Sequence, residues 1–381
     1  MSIFSLLTLS ACSTHGSTTG RSTEYLVYVI GDVRDAYDAG HLVMYEPAKD
    51  DHTPILPEWI VRVPILNGKG GLAFSSSREG NSEIYILKYP FADDTPLNIT
   101  NDAFSEDSPL SWSPDGRYLA FESARSNGKT LMIWDGKKAL PIYQYEKQVS
   151  YLDWDSNNRL AFEAGSDGVF VWDGRETTLI SSDGGNPTWS IDGRLAFSSY
   201  RDGKFDIYIW NGISAINDRP NINSYVNVAT HLTDGYSSPF WTSTDSLMFG
   251  VNEWHDGHQQ YYEWDGQDLT KLCYTTKPES STQNWEMITY WSFLTDCSTD
   301  IPSYIRDKDN QLLLIRNDVP SPYYPRAWSS SGLLLLCVWD NPTLSEFTLS
   351  VWNGTEVVNI AHGPVISAVW RNGNYLFCTN G

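Results

Sequence analysis

The feature that most constrains the fold is a repeated tripeptide, Trp-Asp-Gly or Trp-Asn-Gly, that ends a run of β-favouring residues. It occurs at Trp134, Trp172, Trp210, Trp264 and Trp352. The first three lie 38 residues apart, the next interval is 54, and the last is 88, or two units of 44. We therefore expect a degenerate unit in the last interval, with its marker near residue 308. A unit this short cannot bury its own apolar faces, so the units must stack on one another.

The clearest unit is NPTWSIDGRLAFSSYRDGKFDIYIWNG, residues 186–212. Two tight turns, Ile191-Asp192-Gly193 and Arg201-Asp202-Gly203, separate three runs of strand-forming residues. The third run, Ile207-Tyr208-Ile209-Trp210, is β-branched and aromatic throughout. The unit therefore predicts an antiparallel sheet whose fourth strand follows the tripeptide.

The whole of residues 24–381 reads as one all-β domain, because no long stretch has the period of a helix. An aromatic residue precedes each predicted second strand, at Trp59, Trp112, Trp154, Trp189, Trp241, Trp285, Trp328 and Trp370. This count favours a propeller of eight four-stranded antiparallel blades. Seven blades with one irregular hairpin is the alternative.

The two ends of this domain complement each other. Residues 364–381 supply a first strand and part of a second, whereas GHLVMYEP (40–47) and TPIL (53–56) supply a third and a fourth. Joining them in one blade would close the ring and remove exposed strand edges. The strand Tyr25–Ile30 is then surplus and has no predicted place.

These units resemble the WD-repeat-related propeller repeat of TolB-like proteins. The best matches are WSPDGRYLAFESARSNGKTLMIWDG (112–136) and WSIDGRLAFSSYRDGKFDIYIWNG (189–212), with LAFSSSREGNSEIYIL (72–87) close behind. The resemblance is clear over most of 59–266 and weaker elsewhere. It implies a disc-shaped propeller with a central channel that usually acts by binding, and it does not specify a function.

The amino-terminal segment 1–12, MSIFSLLTLSAC, resembles a bacterial lipoprotein signal whose Cys12 is lipidated and becomes the first residue. It departs from that pattern in lacking Lys or Arg before the short apolar run, so the true start codon lies upstream or the segment is not a signal. Residues 13–23 form a Ser/Thr/Gly linker. Together these features predict a lipid-anchored protein of the bacterial cell envelope, on its periplasmic or extracellular side.

Four further cysteines form an even set that suits an exported protein. Cys337 and Cys378 follow the second strands of consecutive units, a separation too large for a disulfide. Cys273–Cys297 is the favoured pair, with a buried free thiol as the alternative for each.

The formal net charge of −21 argues against nucleic acid as a partner, because such a surface repels phosphate. Acidic turns and solubility are a sufficient cause of this charge. We expect a monomer that binds a protein, a glycan or a peptide and reaches the membrane only through its lipid.

The candidate binding face lies at the second turn of each unit. Arginine recurs there at Arg78, Arg125 and Arg201, either to bind a carboxylate or to pair with an acid of the neighbouring blade. Aromatic residues near the same turn, Tyr200, Trp254 and Trp339, would stack on sugar or peptide. His255, with His258 close by, suits a metal or acid–base site, but its Asp-Gly neighbours also make an ordinary turn, and no third ligand is visible.

No hydrolase motif is present: there is no G-x-S-x-G, H-E-x-x-H or Walker sequence. We therefore favour a non-catalytic binding scaffold that needs no cofactor and no metal. The alternative is a glycan-binding protein or a glycoside hydrolase or lyase with carboxylates at the channel mouth. Scattered aromatic residues on a broad face would favour a protein partner. Long loops at 213–230 and 275–300 are either further binding elements or tolerated drift.

Overall fold

A computed structural model describes the chain over the following ranges: 25–31, 40–67, 69–91, 95–146, 148–201, 204–211, 225–228, 239–241, 245–253, 258–271, 276–279, 286–290, 303–306, 312–316, 323–328, 334–341, 346–352, 357–363, 365–370 and 375–377. Within them the regular structure is β-strand, apart from one 3₁₀ turn, Gly165–Asp167. No helix in these ranges is long and apolar enough to cross a membrane.

The strands in the first half of the chain are β1 Leu26–Gly31, β2 Gly40–Glu46, β3 Asp51–Ile55, β4 Arg62–Leu66, β5 Gly71–Ser76, β6 Glu83–Lys88, β7 Leu97–Asn98, β8 Glu106–Trp112, β9 Leu119–Arg125, β10 Gly128–Trp134, β11 Ala139–Tyr145, β12 Ser150–Trp154, β13 Leu160–Glu163, β14 Val169–Trp172, β15 Thr177–Ser181, β16 Gly184–Trp189, β17 Leu195–Arg201 and β18 Lys204–Trp210. Those in the second half are β19 Tyr225–Asn227, β20 Phe240–Trp241, β21 Leu247–Glu253, β22 His258–Trp264, β23 Leu269–Lys271, β24 Thr276–Glu279, β25 Glu286–Tyr290, β26 Ser303–Arg306, β27 Leu312–Arg316, β28 Tyr323–Trp328, β29 Leu334–Asn341, β30 Glu346–Trp352, β31 Val357–Gly363, β32 Val365–Trp370 and β33 Tyr375–Phe377.

Seven sheets each contain four consecutive strands paired antiparallel in chain order. Sheet 1 is β4–β7, sheet 2 is β8–β11, sheet 3 is β12–β15, sheet 4 is β16–β19, sheet 5 is β20–β23, sheet 6 is β24–β27 and sheet 7 is β28–β31. The remaining strands form the terminal sheet, in the order β3-β2-β1-β32-β33. The predicted all-β fold of four-stranded antiparallel sheets is confirmed. The number of blades and the closure of the ring stay predictions.

The terminal sheet combines strands from both ends of the chain and corrects one expectation. The strand treated as surplus, here β1, lies at the centre of the sheet and pairs with β2 on one side and β32 on the other. The amino- and carboxyl-terminal strands do share one sheet, as predicted, but that sheet has five strands because β1 lies between them. The run Leu-Val-Tyr-Val in β1 is buried without alternation, as expected for a strand covered on both faces.

The tryptophan of each repeated tripeptide ends the third strand of its sheet, as predicted: β10, β14, β18, β22 and β30 all end on it. Of the eight tryptophans expected before the second strands, six end the strand expected there and two do not. Trp59 lies in the segment before β4, and Leu66 ends that strand instead. In sheet 6 the first strand is β24, Thr276–Glu279, so Trp285 follows it rather than ending it.

The two long loops expected at 213–230 and 275–300 differ from each other in the structure. Residues 211–224 separate β18 from β19, so the expected extra length does fall between the third and fourth strands of sheet 4. By contrast, β24 and β25 occupy parts of 275–300, which is therefore not a single loop.

The core of sheets 1 to 4 lies at their second strands. The Leu-Ala-Phe triplets beginning at Leu72, Leu119, Leu160 and Leu195 are 0–1% exposed throughout. Burying one Leu or Phe side chain contributes about 1.5–3 kcal/mol to folding, so these triplets are a main source of apolar stabilisation.

We call the end of each sheet that carries the turn between its first and second strands the first-turn face, and the opposite end the second-turn face. On the first-turn face, an arginine of one sheet lies over the first-strand tryptophan of the next. Arg159 lies 4.3 Å from the Trp189 ring centroid, and Arg194 lies 4.5 Å from that of Trp241. Between sheets 2 and 3 a tyrosine, Tyr118, does the same at 6.3 Å. These stacks couple successive sheets.

Hydrogen bonds from tryptophan side chains also join successive sheets. Trp112 Nε1 donates to the Ile65 carbonyl oxygen at 3.3 Å, and Trp241 Nε1 donates to that of Thr188 at 3.2 Å. In both cases the acceptor lies on the first strand of the preceding sheet. The first-strand tryptophans are therefore packing residues between sheets.

Candidate functional site

The second-turn face carries every candidate binding residue that the structure describes. Arg78 follows β5, Arg125 ends β9, Tyr200 and Arg201 end β17, and Trp339 lies near the end of β29. In each case antiparallel pairing with the third strand brings the residue to the same end of its sheet; Arg201, for example, is in register with Lys204. Trp254, His255, Cys12, Cys273 and Cys297 lie outside the described residues.

Arg78 is exposed, and its guanidinium lies over an aromatic ring. Its guanidinium carbon is 3.9 Å from the Trp59 ring centroid. Trp59 in turn packs edge-on against Tyr85 and Phe74, with centroid separations of 4.9 and 6.1 Å. Trp59, misplaced as a strand marker, therefore has a defined position as a platform for Arg78 on this face.

Arg125 forms an ion pair across a sheet boundary. Its partner Asp102 lies in the link from sheet 1 to sheet 2. The Asp102 N–H donates to Glu83 Oε1 at 2.9 Å, and Asp102 Oδ1 accepts the Phe104 N–H at 3.0 Å. Arg125 thus helps to hold the link in which Phe104 is exposed. Pairing with an acid at the blade boundary was one of its two predicted roles; a direct role in binding stays a prediction.

A buried polar cluster lies beneath this link. Asn81 Nδ2 donates to Glu83 Oε1 at 2.9 Å and to the Ser105 carbonyl oxygen at 2.7 Å. Glu83 and Asp107 are only 3% and 2% exposed. Burial raises the pKa of Asp107, and the nearby Glu83 charge adds to the effect. These carboxyl groups fix the link and are too deeply buried to meet a substrate.

A second carboxyl group, which is partly buried, joins sheets 3 and 4. Asp153 Oδ2 accepts the Trp189 N–H at 2.6 Å and the Thr188 hydroxyl at 3.2 Å. Burial raises the pKa of Asp153 to about 6, against the opposing effect of these hydrogen bonds. Its position between first strands gives it a structural role in the junction.

Three exposed aromatic side chains distinguish the second-turn face. Phe104 is 85% exposed, Tyr151 is 53% exposed and Tyr200 is 51% exposed. They belong to sheets 2, 3 and 4 or to the links that enter them. The other strongly exposed apolar residues of the described ranges are aliphatic; most lie on fourth strands, and Ile191 lies on the first-turn face. Exposed aromatic residues in such an arc are typical of interaction surfaces.

Two of these three residues could not be identified from the sequence, because they do not lie in the recurring second turns. Phe104 lies in the link that precedes the first strand of sheet 2, and Tyr151 lies at the start of that of sheet 3. The available signal was a bulky residue in a polar segment, Asn101-Asp-Ala-Phe-Ser-Glu-Asp107. Because links end at the same face as second turns, both segments contribute to one surface.

Carboxylates outnumber basic groups on this face over residues 56–185. The acidic residues are Glu58, Glu79, Glu83, Asp102, Glu106, Asp107, Glu146, Glu163, Asp167 and Asp183. The basic residues described there are Arg62, Arg78, Arg125 and Lys129. On the first-turn face of the same sheets acidic and basic residues occur in similar numbers, as in the turns Asp115–Arg117 and Asp155–Arg159. The acidic surplus of the chain is therefore unevenly distributed.

A separate cavity of about 280 Å³ lies between β3 with its following residues and the segment Pro90–Phe91. Its lining is almost wholly apolar: Met44, Thr53, Pro54, Ile55, Leu56, Pro57, Pro90 and Phe91. It contains none of the predicted site residues and has no ionisable group to act as an acid or base. Elsewhere in the described ranges, no three His, Cys, Asp or Glu side chains come together as metal ligands.

Comparisons with known proteins support the fold. No protein-family model matches the chain, and a sequence search of curated proteins finds no match. The β-propeller domain of the Trilobed protease of Pyrococcus furiosus is similar in structure, with 14% identity, a TM-score of 0.52, and coverage of 79% of this chain and 97% of that domain. Dipeptidyl peptidase 4 of Porphyromonas gingivalis matches with 14% identity and a TM-score of 0.57 over 83% of this chain.

The chain spans 56% of that peptidase. TolB of Acinetobacter baumannii matches at 12% identity and a TM-score of 0.40, over 89% of this chain and 81% of TolB. At these identities the two matches with TM-scores above 0.5, those to the Trilobed protease domain and dipeptidyl peptidase 4, establish a β-propeller and nothing about activity. The resemblance drawn from the repeats is thus confirmed as a likeness in fold.

Proposed function

We propose that the chain is a non-catalytic propeller that binds a protein partner with its second-turn face. The observation that carries this proposal is the arc of exposed aromatic side chains, Phe104, Tyr151 and Tyr200, across three successive sheets. A stable protein interface buries about 800 Å² per partner and is centred on such residues, so an arc spread over several sheets suits a protein better than a small ligand.

The chemistry of the face also favours binding over hydrolysis. A glycosidase needs two carboxyl groups that reach the same sugar. The deepest carboxyl groups described on this face, Glu83 and Asp107, are closed off from solvent. Glu83 accepts hydrogen bonds from Asn81 and the Asp102 N–H, and Asp107 accepts one from the Ser105 hydroxyl, so both hold the Asp102–Ser105 link. The second candidate function is glycan binding, because exposed Tyr and Phe rings also stack on sugars.

The proposed location is the bacterial cell envelope, with the propeller attached through a lipid on Cys12. Support comes from the sequence alone: the apolar segment before Cys12 and the Ser/Thr/Gly linker after it. Intact mass spectrometry of the protein from a membrane fraction tests this. A mature chain that begins at Cys12 with added acyl mass is expected, and an unmodified chain in the soluble fraction would refute the anchor.

The binding proposal is tested by photo-cross-linking in intact bacterial cells. Benzoylphenylalanine is placed at Phe104 or Tyr151, and at Ile191 as the control. Ile191 is 79% exposed but lies on the first-turn face. We expect a discrete protein adduct from the first two positions and none from Ile191. Adducts from all three positions, or from none, would overturn the assignment of the face.

A glycan array of the purified protein distinguishes the second candidate function. Binding that Phe104→Ala and Tyr200→Ala abolish, together with an absence of protein adducts, would replace a protein partner with a glycan. Turnover of aryl-glycosides or polysaccharides by the pure protein would contradict the non-catalytic assignment itself.

A further inference from the structure

We infer that the partner surface recognised by the second-turn face is positively charged, presenting lysine or arginine side chains of a protein. This inference rests on the proposed function and specifies the chemistry of its partner. It is carried by the placement of carboxylates beside each of the three exposed aromatic rings.

Each ring has acidic neighbours on the same surface. Phe104 lies between Asp102, which accepts its N–H, and the exposed Glu106. The Tyr200 N–H donates at 3.1 Å to the carbonyl oxygen of Asp183, whose side chain is exposed in the link to sheet 4. The aromatic and acidic groups therefore form one surface rather than two.

Tyr151 has the same kind of surroundings. Its neighbour Ser150 is in register with Glu163 across the sheet, and the exposed Asp167 follows in the next turn. Exposed Glu146 lies in the link just before. Tyr151 itself has φ of 50°, a conformation that is uncommon for an aromatic residue and fixes the course of the strand start.

Over residues 56–185 the basic groups of the face are largely engaged within it, whereas Arg201 and Lys204 lie beside Tyr200 in sheet 4. Arg125 pairs with Asp102, Lys129 Nζ lies 2.9 Å from Glu122 Oε1, and Arg78 covers Trp59. By contrast, Glu106, Glu146 and Asp167 form no ion pair with any other described residue. Over residues 56–185 the charge available to a partner is consequently negative.

An aromatic ring next to a carboxylate offers a cationic side chain two favourable interactions. A guanidinium or ammonium group lies over an aromatic face, and its N–H groups donate to carboxylate oxygens. An acidic partner would meet like charge, and a neutral sugar would leave the carboxylates without ion partners. A cationic protein surface satisfies both features.

The test uses the full-length protein and labelled octa-arginine as the cationic probe, with octa-glutamate as the opposite-charge control, at several salt concentrations. Binding is measured by fluorescence anisotropy. Two double variants remove equal charge from opposite faces: Glu146→Gln with Asp167→Asn on the second-turn face, and Glu176→Gln with Asp268→Asn on the first-turn face. All four carboxylates are exposed.

We expect the second-turn double variant and Phe104→Ala each to weaken octa-arginine binding about 3- to 10-fold. The first-turn double variant should change it less than 2-fold. Equal weakening by both doubles would mean that only net charge matters, and would overturn the inference, as would no effect of Phe104→Ala in a variant with unchanged thermal stability.

The cross-linking experiment separates this inference from the proposed function. If the Phe104 adduct contains a partner whose cross-linked segment is acidic or uncharged, a protein does bind this face but the inferred charge is wrong. If no adduct forms from Phe104 or Tyr151, the proposed function fails, whatever octa-arginine does.

Discussion

The first-turn and second-turn faces of this propeller use similar residues for different purposes. On the first-turn face, arginines recur at the same place in successive units, and each contacts the next sheet: Arg159 over Trp189, and Arg194 over Trp241. On the second-turn face, the residues that distinguish one unit from another, such as Phe104 and Tyr151, are the exposed ones. Residues that recur from unit to unit therefore maintain the structure of the repeat, whereas residues specific to one unit form the surface available to a partner.

The largest difference between the faces is expected in Trp241→Ala. This tryptophan is 7% exposed, donates to the Thr188 carbonyl oxygen and lies under Arg194. Its loss should lower the free energy of unfolding by about 3–5 kcal/mol, as for other buried aromatic residues. Urea unfolding followed by circular dichroism measures this. The matched change Tyr200→Ala on the other face should lower the free energy of unfolding by less than about 0.5 kcal/mol. Equal losses from the two variants would show that the faces do not differ in their contribution to stability.

The next effect concerns pH and the junction of sheets 3 and 4. The pKa of Asp153 is raised to about 6 from 3.8, so the folded protein binds this proton more tightly than the unfolded chain. Its favourable contribution is complete below about pH 3.8 and is lost as pH rises through 6. Asp153→Asn should remove about 1–3 kcal/mol of that pH dependence.

Unfolding curves of wild type and Asp153→Asn between pH 4 and 8 provide the measurement. The stability of the variant relative to wild type should rise across this range. A parallel profile for Asp153→Asn would show that this carboxyl is ionised with an ordinary pKa.

A smaller effect is expected from the arginine of the first turn. Arg194 Nε donates a hydrogen bond to Asp192 Oδ1 at 2.8 Å. Its guanidinium also forms an ion pair with Asp245 of the next sheet and lies over the Trp241 ring. Arg194→Met keeps most of the packing and removes the charge, so it should cost about 1–2 kcal/mol. Arg125→Met, whose ion pair is more exposed, should cost under about 1 kcal/mol. The reverse order of the two losses would contradict the structural role given to the first-turn arginines.

The smallest stability effect is expected where the binding effect is largest. Phe104→Ala removes a side chain that is 85% exposed, so the melting temperature should stay within about 2 °C of wild type. Thermal unfolding by calorimetry measures this beside the binding assays. A large drop in melting temperature would mean that Phe104 packs against the rest of the molecule, and would remove it from the interaction surface.

Much of the fold could be predicted because local patterns specify it. The tripeptide tryptophans end third strands, and the Leu-Ala-Phe runs are buried, since a strand covered on both faces needs apolar residues in succession. The place of β1 could not be predicted, because its partner β32 is far away in the sequence. Nothing in Leu26–Gly31 itself specifies that pairing.

The candidate site was only partly predictable for a related reason. Second turns recur and could be aligned, which located Arg78, Arg125 and Tyr200 at one end of their sheets. Links between sheets vary in length and sequence, so Phe104 and Tyr151 had no counterpart to compare with. Their exposure follows from tertiary packing, which a local pattern does not report.

The central position of β1 in the terminal sheet has a consequence for the synthesis of the chain. β1 is made early, yet its pairing with β32 must wait until almost the whole chain has emerged. Until then one edge of this apolar strand has no partner, and pairings of such large sequence separation form slowly. A chaperone that holds the nascent chain unfolded would therefore matter more for this protein than for a propeller whose blades are each continuous in sequence.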